Sequence, residues 1–343
     1  MGKKVMIALS GGVDSAVATS ILIDAGYQVE AVTMKLRPVG FEETIESAKE
    51  VADFFGIQHH VIDLSKAFES KVVAPFLEAY RKGQTPNPCL YCNPKIKYGL
   101  LMDWSINQGA DYFATGHYAR LKRDSNTALV HLLQASNSRK DQGYVLSRLT
   151  QAQLSRLIFP LGEFQSKEDV RKLAMDKGIP VFEKKDSTGI CFIEKGDHLS
   201  YLSKFAPSTM QPGPVCHQNG KIVGRHQGLA RYTIGQKKGL QQWTKGNGLV
   251  VTRMDALNNT LWLGSETDLL TEQIRFHDLQ WLVPVEGKDP LDVKLCQWGH
   301  TYPVAKVEAD IAILGVSARA PAPGQIIVFY RRDEVVGSAV IDR

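Results

Sequence analysis

The sequence predicts an α/β protein: a Rossmann-like parallel sheet covered on both faces, followed by a small central β-rich unit and a C-terminal β-barrel. Three observations predict it. Apolar strand patterns alternate with helical periodicity through the first half of the chain. The turn Ser10-Gly11-Gly12-Val13-Asp14-Ser15 joins the first strand to the first helix. After about residue 205 helical spacing gives way to short alternating runs punctuated by Pro and Gly. The expected units are residues 1–203, 204–269 and 270–343.

The elements follow in order. Val5 to Leu9 reads as a strand and Ala16 to Ala25 as an amphipathic helix; Val29 to Met34 is a second strand, Glu42 to Phe55 a helix, and His59 to Asp63 a third strand. Phe68 to Arg81 is helical, Thr85-Pro86-Asn87-Pro88 breaks the periodicity, and Ile96 to Ile106 restores it. A short strand, Tyr112 to Ala114, ends in Thr115-Gly116-His117-Tyr118. Ala119 to Arg123 and Thr127 to Gln134 then flank the turn Asp124-Ser125-Asn126 as a hairpin. Gln142 to Lys177 reads as helical, with Ser166 and Asp169 spaced as a cap. Strands are expected at Leu249 to Arg253 and Leu261 to Leu263 in the central unit. In the barrel they are expected at Ile274 to Trp281, Leu291 to Cys296, Val304 to Glu308, Ile326 to Tyr330 and Glu334 to Ile341. Ligands of open parallel sheets collect at the carboxyl ends of strands, so the Gly11 and Gly116 turns are expected to face one site.

Composition narrows the class. A length of 343 residues, 43% of them hydrophobic and 22% charged, is enough for two or three cores. The net charge of +5 is compatible with a polyanionic partner but is a small excess of 41 basic over 36 acidic residues. No apolar run is long enough to cross a bilayer and Met1-Gly2-Lys3-Lys4 leads into a strand, so no membrane association and a cytoplasmic location are expected. Five cysteines in a chain of this length do not make a disulfide scaffold and read as reactive or metal-binding thiols.

The chemistry gathers in three places. Two adjacent glycines and the free amides of the following helix suit a phosphate, yet no Gly-Lys-Ser/Thr and no third glycine completes either familiar nucleotide fingerprint. Cys89-Leu90-Tyr91-Cys92 is a Cys-x-x-Cys pair that reads equally as half a zinc site, a redox pair or part of an iron–sulfur site. Cys191 stands between Ile190 and Phe192 with Lys184 and Lys185 nearby, which admits either a thiol activated by charge or a quiet buried one.

Taken together these blocks carry a resemblance. Ser10 to Ser15, Thr85-Pro86-Asn87-Pro88 with Cys92-Asn93, Ala114 to Tyr118, Lys140-Asp141-Gln142, Lys185 to Ile193, and Tyr232-Thr233-Ile234-Gly235-Gln236-Lys237-Lys238-Gly239-Leu240 resemble, in order, the bacterial tRNA-specific 2-thiouridylase family of PP-loop ATP pyrophosphatases. The resemblance implies ATP-dependent sulfur transfer to C2 of the wobble uridine, position 34, in tRNAs for Lys, Glu and Gln. ATP and Mg²⁺ are the implied cofactors, and tRNA and a sulfur-donor protein, a cysteine desulfurase or relay protein, the implied partners.

Residue by residue, the resemblance implies Cys92 as nucleophile and Cys191 as persulfide carrier. Ala8, Leu9, Ser10, Gly11, Gly12, Val13, Asp14, Ser15, Met34 and Gly116 would hold ATP. Asn87, Pro88 and Cys89 would meet the target base, while His117, Lys140, Asp141, Gln142 and Gln325 would touch tRNA. The chain departs from the pattern at Cys89, where many members carry an aspartate, at Cys296-Gln297 in place of an Arg-Tyr pair, and in the short segment after Met34. Cys89 opens an alternative in which Cys89, Cys92 and Cys191 hold a [4Fe-4S] cluster, as in some related tRNA thiolases.

Overall fold

The computed structural model describes residues 2–37, 40–184, 189–193, 198–244, 248–287 and 289–342. Its first sheet is parallel and contains β1 (Lys4–Ala8), β2 (Gln28–Lys35), β3 (His59–Asp63), β4 (Tyr112–Ala114) and β7 (Leu157–Ile158), in the order β3-β2-β1-β4-β7. β1 is central, and its side chains alternate between two cores. Val5 and Ile7 pack with α1 (Val13–Asp24), α2 (Glu42–Phe55) and α5 (Lys167–Asp176), whereas Met6 packs on the other face with Tyr98 and Phe113. A strand covered on both faces needs this continuous apolar sequence.

The helix α3 (65–81) runs through Ser65–Phe68, Glu69–Val73 and Ala74–Arg81 without interruption. The helix α4 (89–107) likewise joins Cys89–Cys92, a π-helical stretch Asn93–Leu101, and Met102–Asn107. It therefore begins at Cys89 rather than near Ile96, so the Cys-x-x-Cys occupies its first turn. The expected helical stretch from Gln142 to Lys177 is instead two single turns, Gly143–Leu146 and Gln151–Leu154, then β7 and an irregular segment before α5. Pro160 and Gly162 interrupt the helical path, and Leu157 and Ile158 pair with Phe113 and Ala114 at the sheet edge. The cap at Ser166 forms, its hydroxyl accepting from the Asp169 amide at 3.0 Å.

The hairpin β5 (Arg120–Arg123) and β6 (Val130–Leu133) leaves the parallel sheet and joins the barrel. The central sheet contains β8 (Gly213–His217), β9 (Ile222–His226), β10 (Val250–Asp255) and β11 (Thr260–Gly264), with β8 and β11 parallel. Six strands then close on themselves: β12 (Leu270–Trp281), β13 (Leu291–Lys294), β14 (Thr301–Glu308), β15 (Ile311–Arg319), β16 (Ile326–Arg331) and β17 (Glu334–Ile341). β12 pairs with both β15 and β17, which closes the barrel, and β6 adds outside it through Glu334 opposite Leu133 and Val335 opposite Leu132. β15 has no counterpart in the sequence reading, because its Ile-Ala-Ile-Leu start does not alternate. Among the described residues no helix is long and apolar enough to cross a membrane.

Candidate active site

At the carboxyl ends of β1, β2 and β4 lies a cleft of about 240 Å³. Seven residues expected at ATP line it: Ala8, Leu9, Ser10, Asp14, Ser15, Met34 and Gly116. Phe41, Thr44, Lys97, His117 and Gln142 complete much of the wall. Gly11 and Gly12 shape the turn from the backbone side. Gly11 has φ +66°, and a Cβ there would stand 2.4 Å from Ser47 Cβ on α2. Gly12 caps α1 with no side-chain hydrogen bond, leaving the first amides directed at the cleft. Val13 is the exception among the expected set, because its side chain is buried in the core beneath the turn.

The two ligand loops touch. A Cβ at Gly116 would stand 2.8 Å from the Asp14 carbonyl carbon and 2.9 Å from the Ser15 amide, so only glycine permits this approach. Ser15 Oγ donates to the Gly12 carbonyl at 3.0 Å and meets Ser10 Oγ at 3.2 Å. Asp14 is held by the Tyr118 hydroxyl, which donates to it at 2.6 Å, and by Lys167 Nζ at 2.5 Å. Lys167 is a buried lysine at the start of α5, far away in sequence. Nothing in the local pattern around residue 167 signals this role.

α4, which lines the cleft through Lys97, carries Cys89 and Cys92 in its first turn. Cys92 is buried with Phe68, Phe76, Ile96 and Phe192 in one apolar cluster. Phe192 packs edge-to-face on Phe68 and Phe76 at 5.5 and 5.3 Å, wedging the Cys191 segment against α3. Burial pushes the Cys92 thiol up to about 12, and the protein packed around the Cys191 sulfur pushes that thiol up to about 11 although the residue is exposed. Burial also raises Cys89, and the Lys97 ammonium opposes the rise at all three sulfurs. All three thiols are free.

Lys97 connects the thiols to the cleft. Its Nζ lies 3.5 Å from His117 Nε2, and His117 Nδ1 meets the Tyr98 and Thr115 hydroxyls at 2.9 and 2.8 Å. Burial, aided by the Lys97 charge, holds His117 well below its ordinary 6.5, so the ring is neutral at physiological pH. The sequence reading missed Lys97, Lys167 and Tyr118, whose roles depend on contacts distant in sequence or on an unexpected helical register.

The residues expected at tRNA divide. Asn87 Oδ1 accepts from the Cys89 amide at 3.1 Å and fixes the start of α4, while Pro88 precedes its first turn. His117 and Gln142 face the cleft, and Gln142 Oε1 accepts from the Tyr118 amide at 2.9 Å. Asp141 is buried and accepts from the Ala135 and Gly143 amides at 2.9 and 3.2 Å, so its carboxylate organises the loop. Lys140, beside it, is partly buried. Gln325 donates its side-chain amide to the Thr85 carbonyl, and Thr85 donates in turn to Pro323 at 3.4 Å. The barrel thus holds the Thr85 to Pro88 loop in place. Lys185 to Thr188 lie outside the described residues.

The [4Fe-4S] alternative finds no ligand set. Among the described residues, which include Cys89, Cys92 and Cys191, no three His, Cys, Asp or Glu side chains are grouped to hold a metal ion.

Residues 3–195 match a family model described as "tRNA methyl transferase HUP domain". Residues 200–265 match "tRNA methyl transferase PRC-barrel domain" and residues 271–341 match "Aminomethyltransferase beta-barrel domain". A protein of Pelobacter propionicus named tRNA-specific 2-thiouridylase MnmA is 38% identical, over 98% of this chain and 97% of its own length. Proteins of the same name from Dehalococcoides mccartyi and Treponema denticola are 39% and 37% identical, over 98% and 99% of this chain and 96% and 98% of their own lengths.

Proposed function

This chain belongs to the tRNA-specific 2-thiouridylase family, and on that footing we propose that it replaces the C2 oxygen of the wobble uridine of tRNAs for Lys, Glu and Gln with sulfur, at the expense of ATP. The observation that carries the reading is the convergence of the phosphate turn and the Gly116 loop on one cleft, walled in part by Lys97 of the helix whose first turn holds Cys89 and Cys92.

The chemistry needs both halves. The C2 oxygen is a poor leaving group as oxide; once it attacks the α-phosphorus, pyrophosphate departs and the oxygen becomes part of an AMP leaving group. The free amides at Gly12, with Ser10 and Ser15, cradle the pyrophosphate portion, and the missing P-loop lysine leaves the α-phosphate open to attack. Mg²⁺ fits a site that supplies few protein ligands, since it travels with phosphate oxygens and keeps several waters; bound there it would neutralise phosphate charge.

Sulfur transfer then belongs to the thiols. A sulfur-donor protein loads Cys191 as a persulfide. Its terminal sulfur attacks C2, the C2–O bond breaks and AMP leaves. Cys92 thiolate then attacks the Cys191 sulfur, freeing the thiouridine and leaving a Cys92–Cys191 disulfide that an external thiol reduces. Release of hydrosulfide by Cys92 before attack on C2 uses the same residues. Asn87, Pro88 and Cys89, which follow the Thr85 carbonyl held by Gln325, would meet the base extruded from the anticodon. The unit of residues 1–203 activates and transfers, while 204–269 and the barrel 270–343 grip the tRNA of a cytoplasmic enzyme.

The test is pyrophosphate release with Mg²⁺, tRNA and a sulfide source. Release of AMP and pyrophosphate together with thiolated tRNA supports the reading, and a failure to cleave ATP between α- and β-phosphates overturns it. With persulfide as donor, Cys92→Ala and Cys191→Ala each abolish thiolation while retaining tRNA binding.

A further inference from the structure

We infer that the groove between α3 and α6 (His198–Phe205) is the docking surface for the sulfur donor, receiving the acidic, apolar-flanked segment on which that protein carries its cysteine persulfide. The inference rests on the proposed function for the persulfide at Cys191, and on the shape and charge of the groove for where the donor sits.

The groove has a volume of about 1000 Å³ and shares no wall residue with the nucleotide cleft. Phe68 and Val73 line it from α3, Tyr201 and Phe205 from α6, and Phe192 and Ile193 from the segment that carries Cys191. Phe192 packs on Phe68 at 5.5 Å, so the ring that anchors this segment is also part of the groove wall. Cys191 is exposed and is the next residue in the chain, and consecutive Cα atoms stand about 3.8 Å apart. A partner seated in the groove therefore has its contact edge one residue from the acceptor thiol. Phe205, 45% exposed and stacked on Tyr201 at 4.7 Å, forms an apolar lip open to such a partner.

Charge selects the partner. Arg37, Lys66 and Lys204 line the groove against a single carboxylate, Glu69. Arg37 donates one terminal nitrogen to the Gly40 carbonyl at 3.1 Å, while its Nε is shielded from solvent and has no partner among the described residues. A buried donor left unpaired is costly unless a bound acceptor meets it, so the surface calls for carboxylates around an apolar side chain. RNA fits less well. Glu69 interrupts the basic track that phosphates need, and Phe68 and Phe192, 1% and 4% exposed, offer no ring face on which a base could stack. With the donor seated, the Cys191 thiolate attacks the terminal sulfur of the donor persulfide. The donor S–S bond breaks as the Cys191 S–S bond forms, and the donor cysteine leaves as a thiolate that takes up the proton Cys191 lost. Nothing is oxidised or reduced overall, so the step needs no further reactant.

The experiment measures persulfide formation at Cys191 of the full-length protein by peptide mass spectrometry, without ATP or tRNA. Sulfur comes either from free cysteine persulfide or from the purified cysteine desulfurase or relay protein that loads the wild-type chain fastest. In Lys66→Glu/Lys204→Glu, loading by the donor protein slows at least about tenfold at low ionic strength and recovers in part as salt rises, whereas loading by free cysteine persulfide is unchanged. Phe205→Ser slows donor loading without the salt dependence. Lys122→Glu/Lys306→Glu, the same charge change placed on β5 and β14, leaves donor loading at the wild-type rate. Four results would each overturn the assignment: wild-type donor loading in the groove variants, equal slowing with free cysteine persulfide, equal slowing in the control pair, or no donor protein that outpaces free cysteine persulfide at the same concentration. Donor loading that holds while tRNA affinity falls would assign the groove to RNA instead. Since no turnover is measured, groove-dependent loading in a protein that never releases pyrophosphate would sink the proposed function and leave the docking surface standing.

Discussion

Gly116→Ala probes the meeting of the two ligand loops. The added Cβ would lie 2.8 Å from the Asp14 carbonyl carbon, 2.9 Å from the Ser15 amide and 3.0 Å from the Asp14 carbonyl oxygen. Carbon contacts are comfortable at roughly 3.5 Å or more, so one loop must retreat by about 0.7 Å. All three clashing atoms are backbone, and the loop they belong to is also pinned by Tyr118 and Lys167 through Asp14. Overpacking of this kind costs about 1–3 kcal/mol. Either the free protein bears the strain or the cleft opens and loses its fit to the triphosphate; at about 1.4 kcal/mol per factor of ten the second route weakens ATP binding by roughly 5- to 150-fold. Calorimetric titration with a non-hydrolysable ATP analogue, beside a thermal melt, separates the two routes. Cys92 alkylation in the same preparation stays near wild type, because Cys92 packs in a separate apolar cluster with Phe68, Phe76, Ile96 and Phe192. Unchanged affinity together with an unchanged melt would refute the claim that these loops meet at a nucleotide.

Other expectations follow from the same contacts. Gln325→Ala removes the donor to the Thr85 carbonyl and costs about 1 kcal/mol; amide exchange across residues 84–89 should quicken, and exchange at wild-type rates would remove the barrel from loop positioning. The raised thiols make stability fall in alkali: Cys92 is neutral in the folded state up to about 12, whereas the unfolded chain releases its proton above the ordinary 9.0. Its contribution is therefore present below pH 9 and lost between pH 9 and 12. Denaturant unfolding should show that slope, and Cys92→Ala should flatten it; an identical slope in the variant counts against a buried thiol.

Much of the fold is legible because it is written locally. The β1, β2 and β3 patterns alternate with α1 and α2 as the parallel sheet requires, and α2 and β3 keep the bounds their spacing predicts. What escapes is whatever depends on distant partners. β7 has two residues, too few for a period, and exists because β4 offers an edge. The β5–β6 hairpin is visible, but its pairing with β17 some two hundred residues later is not encoded near either. At the site, glycine pairs and cysteines announce themselves, whereas Lys97 and Lys167 look like ordinary surface lysines until a π-helical register and the half-buried Asp14 carboxylate give them work. Asp141 shows the converse: a residue picked out by motif turns out to tie down backbone amides.

The central claim is that the uridine C2 oxygen leaves on AMP. It is tested most directly with tRNA carrying ¹⁸O at C2 of the wobble uridine, incubated with the enzyme, ATP, Mg²⁺ and a sulfide source, followed by mass spectrometry of the nucleotide products. The account predicts one ¹⁸O in AMP for each thiouridine formed and none in pyrophosphate. Thiolated tRNA accompanied by unlabelled AMP, or by ADP and phosphate, would contradict it.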